Sequence, residues 1–429
     1  MDIKIEKKYE EWLHNVPSEN DLYSELTAMK NNSALIEDAF YKDLSFGTAG
    51  LRGVIGAGTN RMNIFTVAKT SQGIANYINK NFESEHRKMA ISYDSRIKSK
   101  DFAKTSAAVF AANGIKVYIY SSLMPVPCLS FAVRYLGCAS GVMITASHNP
   151  AKYNGYKVYD KYGCQIGEET ASAIFDEIEK TDAFKDVKTG NFEEFLQNGM
   201  VNYIDDKVYD AFIYEVKRQS VLSDEDFVDK NVSIVYTPLN GTGLHPVLRA
   251  LKESGYTNIT VVAEQSQPDG NFPTCPYPNP EIREAMALGI EYAGKNDADI
   301  LIATDPDCDR VGIAVKDKTG GYRLLTGNET GILLFDFICR MRIKNGTMPQ
   351  NPVAVKTIVS TGLVEKIAAK YGVKIVNVLT GFKYIGEQIF LLEEKGEEAS
   401  YIFGFEESYG YLTGTYVRDK DAVNASFLI

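Results

Sequence analysis

Three short stretches of the chain combine residue types that suit transfer of a phosphoryl group to a sugar. They are Ile-Thr-Ala-Ser-His-Asn-Pro at 144–150, Asp-Pro-Asp-Cys-Asp-Arg at 305–310 and Gly-Phe-Glu-Glu-Ser at 404–408. The first offers a hydroxyl that can carry phosphate, the second carboxylates that can hold a cation, and the third polar groups that can bind sugar hydroxyls. Together they predict phosphoryl transfer with a sugar as acceptor.

Ser147 is the candidate nucleophile. It lies between an apolar strand and Asn149-Pro150, so we expect its hydroxyl to be exposed on a tight turn, with His148 as a proton relay or hydrogen-bond donor. Alone, this pair is more typical of an ordinary turn. Asn154-Gly155 is a hairpin signal that would return Lys157 to the serine, as acid or base, as a phosphate counter-charge, or only as a solvated surface lysine.

A candidate cation site follows the strand predicted at 299–304, where three aspartates alternate: Asp305, Asp307 and Asp309. In an extended loop this spacing places the carboxylates on one side, and such hard oxygen ligands suit Mg²⁺. An EF-hand calcium loop is excluded, because Arg310 and Lys316 stand where glycine and glutamate are required. A solvated acidic turn is the weaker alternative, since the three charges repel without a cation. Arg310 is placed to clamp a phosphate.

Further polar groups complete the candidate site. The glycine-rich run 47–58 contains Arg52 but no Gly-Lys-Ser/Thr, so it is not a nucleotide P-loop, and we expect Arg52 to approach a phosphate. Glu406 and Ser408 suit two neighbouring sugar hydroxyls. Two stretches that contain cations, 380–383 and 418–421, belong to the same block as Glu406 and Ser408. Half of their charges are equally well explained as residues of a solvated surface.

The elements that must position these residues form a repeated pattern. Residues 1–45 show the spacing of a charged helical cap, after which strands alternate with helices in three blocks, predicting mixed α/β sheets. Ser147, Asp305 and Glu406 each follow the last strand of a block. Because ligands bind beyond the carboxyl ends of such strands, we expect three similar α/β domains around one cleft, with limits at 1–205, 206–322 and 323–429.

Composition narrows the class of protein. A chain of 429 residues predicts two to four domains, and a formal charge of −10 argues against nucleic acid but not against small phosphorylated substrates. Neither a signal peptide nor a membrane anchor is visible. The six cysteines are far apart without a Cys-x-x-Cys pair, so we expect reduced, mostly buried thiols in a cytoplasmic protein.

In this order, the motifs resemble those of the α-D-phosphohexomutase family, on the branch of phosphoglucomutases and phosphopentomutases. The resemblance extends from about Phe46 to the last residue and rests on 145–150, 305–310, 380–383 and 406–408. It implies an isomerase with a phosphoserine at Ser147 and Mg²⁺ held by that phosphate and the three aspartates. It also implies a glucose 1,6-bisphosphate intermediate that serves as activator.

Roles for the other residues are implied by the same resemblance. His148 and Lys157 resemble the acid/base pair, and Arg52 and Arg310 resemble the residues that anchor phosphate or the phosphoserine, Arg52 as part of the catalytic set. The remaining candidates resemble the sugar and phosphate contacts of the third domain: Thr380, Gly381, Lys383, Glu406, Ser408 and Lys420. Glu-Glu-Ser is similar to the sugar loop of the glucose-type enzymes, so we expect interconversion of glucose 1-phosphate and glucose 6-phosphate.

Three alternatives stay open: a pentose phosphate substrate, a sugar-bisphosphate synthase or phosphatase, and a non-catalytic sugar-phosphate binder. The family has a fourth domain for which this chain has no residues, and residues 421–429 look like the start of an amphipathic helix. We therefore expect a fragment of a longer protein, with weakened substrate binding. The sequence does not indicate an oligomeric state.

Overall fold

The computed structural model describes residues 2–429, which begin with a cap of three helices: α1 (Ile3–Asn15), α2 (Asp21–Met29) and α3 (Ser33–Phe40). A polar side chain caps the start of each helix by accepting a hydrogen bond from a backbone N–H of the first turn. The capping residues are Asp2, Asn20 and Asn32. Trp12 packs edge-on against three rings, Phe40, Phe65 and Phe184. Two of these rings belong to the next domain, so the cap is attached by its aromatic core.

The first α/β domain is built on a six-stranded mixed sheet. Its strands are β1 (Leu51–Val54), β2 (Lys88–Tyr93), β3 (Lys116–Ile119), β4 (Ser140–Ile144), β5 (Tyr153–Asp160) and β6 (Val201–Tyr203). The order is β1-β5-β4-β2-β3-β6, in which β1 and β5 are antiparallel to their neighbours and the other pairs are parallel. Its helices are α4 (Ile64–Asn81), α5 (Ser99–Ala112), α6 (Val126–Tyr135), α7 (Glu168–Glu179) and α8 (Phe192–Gln197).

The hairpin predicted at Asn154-Gly155 is wrong, because both residues lie inside strand β5. They pair with Gly53 and Arg52 of β1. A Cβ on Gly155 would lie 2.5 Å from the Thr145 carbonyl oxygen. The glycine therefore serves close packing between strands, not a turn. Lys157 reaches Asp307 and Asp309 from β5, which runs back beside β4.

The second domain carries a five-stranded mixed sheet in the order β11-β10-β9-β7-β8. Its strands are β7 (Ile234–Thr237), β8 (Ile259–Val261), β9 (Ile300–Thr304), β10 (Val311–Lys316) and β11 (Tyr322–Leu324). Its helices are α9 (Asp206–Arg218), α10 (Leu244–Glu253), α11 (Ala263–Ser266) and α12 (Arg283–Lys295). The domain limit predicted at residue 322 falls inside β11, which pairs with β10, so the second sheet extends to Leu324.

The third domain has a four-stranded mixed sheet in the order β13-β12-β14-β15. Its strands are β12 (Val353–Thr357), β13 (Lys374–Val378), β14 (Tyr401–Glu406) and β15 (Gly410–Leu412). Its helices are α13 (Gly327–Lys344), α14 (Leu363–Tyr371), α15 (Phe382–Glu393) and α16 (Ala422–Leu428). Helix α16 packs against α9 and α10, so the core of the third domain continues into the second.

The loops that follow β4, β9 and β14 meet. The Ser147 hydroxyl donates to Asp305 Oδ2 (3.0 Å), and the Arg310 guanidinium donates to the Ser408 carbonyl oxygen (3.2 Å). The predicted fold, three α/β domains with mixed sheets around one cleft, is thereby confirmed. All six cysteines are buried and free, and within residues 2–429 no helix has the length and apolar character needed to span a bilayer.

Candidate active site

Ser147 occupies a tight turn directly after β4, with a positive φ of 53°. The hydroxyl of Thr145 accepts the Ser147 N–H (2.8 Å), which fixes the start of the turn. The Ser147 hydroxyl donates to Asp305 Oδ2 and lies 3.2 Å from His148 Nδ1. Ser147 is only 4% exposed, so the prediction of an exposed serine is wrong: the loop of the second domain covers it.

A buried arginine that the sequence analysis missed holds the serine loop from behind. The Arg96 guanidinium donates to the carbonyl oxygens of Ser147 (2.6 Å), Pro150 and Tyr153 (3.1 Å each), and also to that of Asn149. Four carbonyl groups of one loop thus share one cation, which fixes the path of the chain on both sides of the nucleophile.

The three aspartates lie in a curled turn between β9 and β10, not in the extended loop that was predicted. The backbone N–H groups of Asp309 (3.1 Å) and Arg310 (2.9 Å) donate to Asp305 Oδ1. Cys308 has a φ of 52°, which lets the chain reverse between its neighbours. One oxygen from each aspartate lies within 4.8 Å of the others. The three carboxylates therefore cluster as predicted, but because the turn curls and not because an extended loop places alternate side chains on one side.

The aspartate cluster has the donor set of a site for a hard divalent cation. All three side chains are buried, and among the described residues (2–429) Asp307 Oδ1 and Asp309 Oδ1 have no hydrogen-bond partner. Buried carboxylate oxygens without donors are costly unless a cation contacts them. Burial, together with the charges of Asp307 and Asp309, raises the pKa of Asp305 well above its usual range, a shift that a bound cation would oppose.

Two lysines from different domains contact the aspartate cluster. Lys157 Nζ lies 2.8 Å from Asp307 Oδ2 and 3.3 Å from Asp309 Oδ2. Lys420 Nζ lies 3.3 Å from Asp309 Oδ2 and 3.0 Å from Asp419 Oδ1. Burial alone would lower the pKa of both lysines, but the aspartates raise it, so both ammonium groups stay charged. Lys157 is therefore not a solvated surface lysine.

His148 is neutral at physiological pH in this environment. Burial, followed by the charge of Arg310, lowers the pKa of its imidazole to about 4. A neutral imidazole with a ring nitrogen 3.2 Å from the Ser147 hydroxyl can accept a proton or a hydrogen bond from it.

The third domain places Glu406 and Ser408 beside the cluster. Glu406 is buried, and burial raises its pKa, while the Gly381 N–H donates to its Oε1 (2.8 Å). The Ser408 hydroxyl lies 3.5 Å from Glu406 Oε2. Thr380 is exposed and Lys383 is half-buried, and within residues 2–429 neither side chain forms a hydrogen bond that joins it to the aspartates.

The two candidate phosphate anchors differ in how they are held. Arg52 is exposed, and within residues 2–429 its guanidinium donates only to Asn149 Oδ1 (3.3 Å), so it is available to a ligand. Arg310 is already paired, because Glu281 Oε1 accepts from it at 2.5 Å. Glu281 was missed by the sequence analysis, since nothing in its local pattern marks it as the partner of an arginine 29 positions later.

Three family models match the chain. They are described as phosphoglucomutase/phosphomannomutase, alpha/beta/alpha domains I, II and III, and match residues 43–185, 210–320 and 326–429. Each matched range contains the core of one of the three sheets described above.

Curated relatives carry the name phosphoglucomutase. That of Staphylococcus saprophyticus is 38% identical over 415 residues, covering 96% of this chain and 72% of the relative. That of Staphylococcus aureus strain N315 is 37% identical over 393 residues, covering 91% of this chain and 68% of the relative. This chain spans about 70% of the length of such relatives.

Solved structures support the fold. A phosphoglucomutase/phosphomannomutase family protein from Burkholderia thailandensis superposes with a TM-score of 0.70 at 19% identity, over 89% of this chain and 75% of that one. The open form of parafusin, a phosphoglucomutase from Paramecium, superposes with a TM-score of 0.67 at 18% identity, over 90% of this chain and 70% of that one. At these identities the likeness concerns the architecture.

Proposed function

The chain belongs to the phosphoglucomutase/phosphomannomutase family, and on that premise we propose that it interconverts glucose 1-phosphate and glucose 6-phosphate through a phosphoserine at Ser147. The observation that carries the proposal is the buried contact of the Ser147 hydroxyl with Asp305, at the edge of a carboxylate cluster suited to a divalent cation. The names of the staphylococcal relatives favour glucose over a pentose.

The proposed chemistry is a pair of phosphoryl transfers. A free hydroxyl oxygen of the sugar phosphate attacks the phosphorus of the phosphoserine, the bond between phosphorus and Ser147 Oγ breaks, and a sugar bisphosphate forms. After this intermediate turns over, Ser147 Oγ attacks the phosphorus of its other phosphate, the bond between that phosphorus and the sugar oxygen breaks, and the phosphoserine is restored. In the first transfer the attacking sugar hydroxyl loses a proton and the leaving Ser147 Oγ gains one. In the second transfer the Ser147 hydroxyl loses a proton and the leaving sugar oxygen gains one, and His148 and Lys157 are the candidate acid/base groups. Since His148 is neutral and Lys157 is charged, His148 is placed to accept a proton and Lys157 to donate one.

Magnesium fits the aspartate cluster. Asp305, Asp307 and Asp309 would hold it together with the phosphate on Ser147, and two of these carboxylates have an oxygen without a partner. When bound, Mg²⁺ supplies charge that offsets the phosphate oxygens and polarises the phosphorus. An N-acetylphosphoglucosamine mutase from Aspergillus fumigatus, similar in architecture with a TM-score of 0.51 at 14% identity over all of this chain and 80% of that one, was solved with GlcNAc-6P and magnesium.

Substrate contacts are proposed on both sides of the cleft. Glu406 and Ser408 would bind neighbouring sugar hydroxyls. The phosphate that is not transferred would be bound by residues of all three domains. Arg52 and Arg310 come from the first and second domains, and the third domain contributes Thr380, Gly381, Lys383 and Lys420. We also propose a cytoplasmic location, because six buried free thiols suit a reducing compartment.

Peptide mass mapping tests the proposal. The chain is incubated with MgCl₂ and glucose 1,6-bisphosphate, and we expect phosphate on the peptide that contains Ser147, with none in Ser147→Ala and little in Asp307→Ala. A phosphopeptide elsewhere, or equal labelling of Asp307→Ala, would contradict the assignment. Ligand binding without any labelling would instead support a non-catalytic binder.

Product analysis separates the remaining alternatives. A mutase converts glucose 1-phosphate with almost no release of inorganic phosphate, whereas a phosphatase releases it stoichiometrically. Ribose 1-phosphate converted faster than glucose 1-phosphate would favour a pentose substrate.

A further inference from the structure

The loop that carries Ser147 is held by a contact from the second domain. The Arg96 guanidinium, which binds four carbonyl groups of residues 147–153, is covered on one face by the ring of Phe272, with 5.0 Å from its central carbon to the ring centroid. Arg96 belongs to the first domain and Phe272 to the second. Both are almost fully buried, so water does not screen the contact.

The segment that carries Phe272 is shaped to approach Arg96 closely. A Cβ on Gly270 would lie 2.4 Å from Ile97 N and 2.8 Å from the carbonyl carbon of Arg96, so only glycine permits this approach. Phe272 has a φ of 47°, a costly conformation for an aromatic residue. The Phe272 N–H donates to the Asp269 carbonyl (3.2 Å), and the Cys275 N–H donates to that of Phe272 (3.0 Å), which closes the turn.

The ring also matters for the balance of charge around Arg96. Asp94 forms a buried ion pair with Arg96, with Oδ2 3.4 Å from Nε, but within residues 2–429 neither atom forms a hydrogen bond, and Asp94 Oδ1 accepts from the Arg96 N–H and the Ser99 hydroxyl. A desolvated guanidinium gains roughly 2 kcal/mol or more from the face of an aromatic ring. The ring of Phe272 lies over the guanidinium of Arg96 in the orientation in which that group donates to the carbonyl groups of the serine loop.

We propose that Phe272 is a positioning residue for phosphoryl transfer: docking of residues 269–272 onto Arg96 holds the Ser147 loop in the geometry that brings its hydroxyl to Asp305. The inference rests on the proposed function of Ser147. It adds that the second domain supplies not only the carboxylates of the cation site but also the support behind the nucleophile, so that both halves of the site form when the two domains dock.

The first test measures the loop itself, without any reaction. Hydrogen exchange is followed at the amides of Ser147, Asn149 and Tyr153, all of which are hydrogen-bonded within the loop. Phe272→Leu, which keeps apolar volume but removes the ring, should accelerate their exchange about tenfold. The matched control is Phe192→Leu, which removes another ring under a cation, Lys104 (4.6 Å), outside this loop and its supports. Unchanged exchange in Phe272→Leu would overturn the proposal.

The second test measures the rate at which Ser147 takes phosphate from glucose 1,6-bisphosphate with MgCl₂. We expect about a tenfold slower rate in Phe272→Leu and an unchanged rate in Phe192→Leu. If Phe272→Leu fails to fold, pentafluorophenylalanine at 272 replaces it, since this residue keeps the ring shape but reverses the charge of its face. Transfer at the wild-type rate with the fluorinated ring would overturn the role of the ring face. If the wild-type chain takes no phosphate, the proposed function fails, and hydrogen exchange still decides whether Phe272 holds the loop.

Discussion

The Tyr159 hydroxyl donates a 2.8 Å hydrogen bond to Asp419 Oδ2, and both side chains are buried. Tyr159 lies on β5 two residues after Lys157, so the two side chains leave the same face of the strand. Asp419 also accepts from the ammonium of Lys420, which contacts the aspartate cluster. One strand of the first domain therefore contacts both the cation site and the third-domain loop beside it.

Tyr159→Phe removes the hydroxyl that donates to Asp419 and accepts from Gln165 Nε2 (3.5 Å). Within residues 2–429, Gln165 Nε2 (3.2 Å) is then the one side chain of the first domain that donates to Asp419 Oδ2, so we expect a loss of about 1–3 kcal/mol in the free energy of unfolding, measured in urea. Tyr135→Phe, an exposed tyrosine on α6, is the control and should change stability little. Equal stabilities of the two variants would show that the contact between the first and third domains does not depend on this bond.

Lys157→Met should make folding depend on divalent cations. The substitution keeps most of the length of the side chain but leaves Asp307 without its ammonium partner at 2.8 Å, whereas Asp309 keeps Lys420 at 3.3 Å. Removing one partner of a buried pair costs about 3–5 kcal/mol. Added MgCl₂ should recover much of this loss by binding the folded state, as measured by thermal unfolding with and without the salt. The exposed Lys161→Met serves as control. A loss that MgCl₂ leaves unchanged would argue against a cation site at these carboxylates.

Asp421 should give a pH-dependent contribution to stability. Burial raises its pKa to about 6 in the folded chain, above its value in an unfolded chain, so the folded state holds the proton more tightly. Its contribution is therefore fully present below about pH 4 and is lost as the pH rises towards about 6, with an amplitude on the order of 3 kcal/mol.

Comparison with Asp421→Asn isolates this effect. The amide keeps an oxygen for the Val423 and Asn424 N–H groups at the start of α16 but cannot ionise. The difference in unfolding free energy between wild type and variant should shift in favour of the variant between pH 4 and 7, and then stay constant. Asp176→Asn, at an exposed site on α7, is the control for the substitution itself. A flat difference for Asp421→Asn would mean that this carboxyl ionises normally.

The strands and the convergence of the loops could be predicted from the sequence because both depend on local patterns. Apolar runs bounded by glycine or proline indicate strands, and the carboxyl ends of such strands meet at one edge of a sheet. This was sufficient to bring Ser147 and Asp305 to one cleft, where they form a hydrogen bond.

The supports of the site could not be predicted because they depend on contacts between distant segments. Arg96 reads as an ordinary arginine in Asp-Ser-Arg, and its role is visible only when four carbonyl groups surround it. The same applies to Phe272. The turn predicted at Asn154-Gly155 is absent because glycine is favoured both in turns and wherever paired strands leave no room for a larger side chain.

Glu281→Gln should weaken phosphate binding through Arg310. Glu281 Oε1 accepts a hydrogen bond from the Arg310 guanidinium (2.5 Å), and the Ser408 carbonyl oxygen accepts another (3.2 Å). A carboxylate of the second domain thus orients Arg310 toward the third-domain loop. An uncharged glutamine holds the guanidinium less firmly, and we expect about a tenfold weaker Kd for glucose 1-phosphate by calorimetry. Glu284→Gln, close by on α12, is the matched control. Unchanged affinity in Glu281→Gln would mean that Arg310 does not bind the phosphate in the orientation that Glu281 imposes.

Glu393→Gln should loosen the junction between the first and third domains, because Glu393 is the carboxylate shared by Arg134 (2.9 Å) and Arg418 (2.7 Å). The side chain of Arg418 is fully buried, so without the carboxylate its charge is poorly compensated, although partial exposure of Glu393 reduces the effect. We expect a loss of about 2 kcal/mol in urea unfolding. Glu394→Gln, the exposed neighbour, should lose almost nothing. Similar stabilities for both variants would mean that the backbone carbonyl groups of Thr415 and Val417, which also accept from Arg418, are sufficient to hold it.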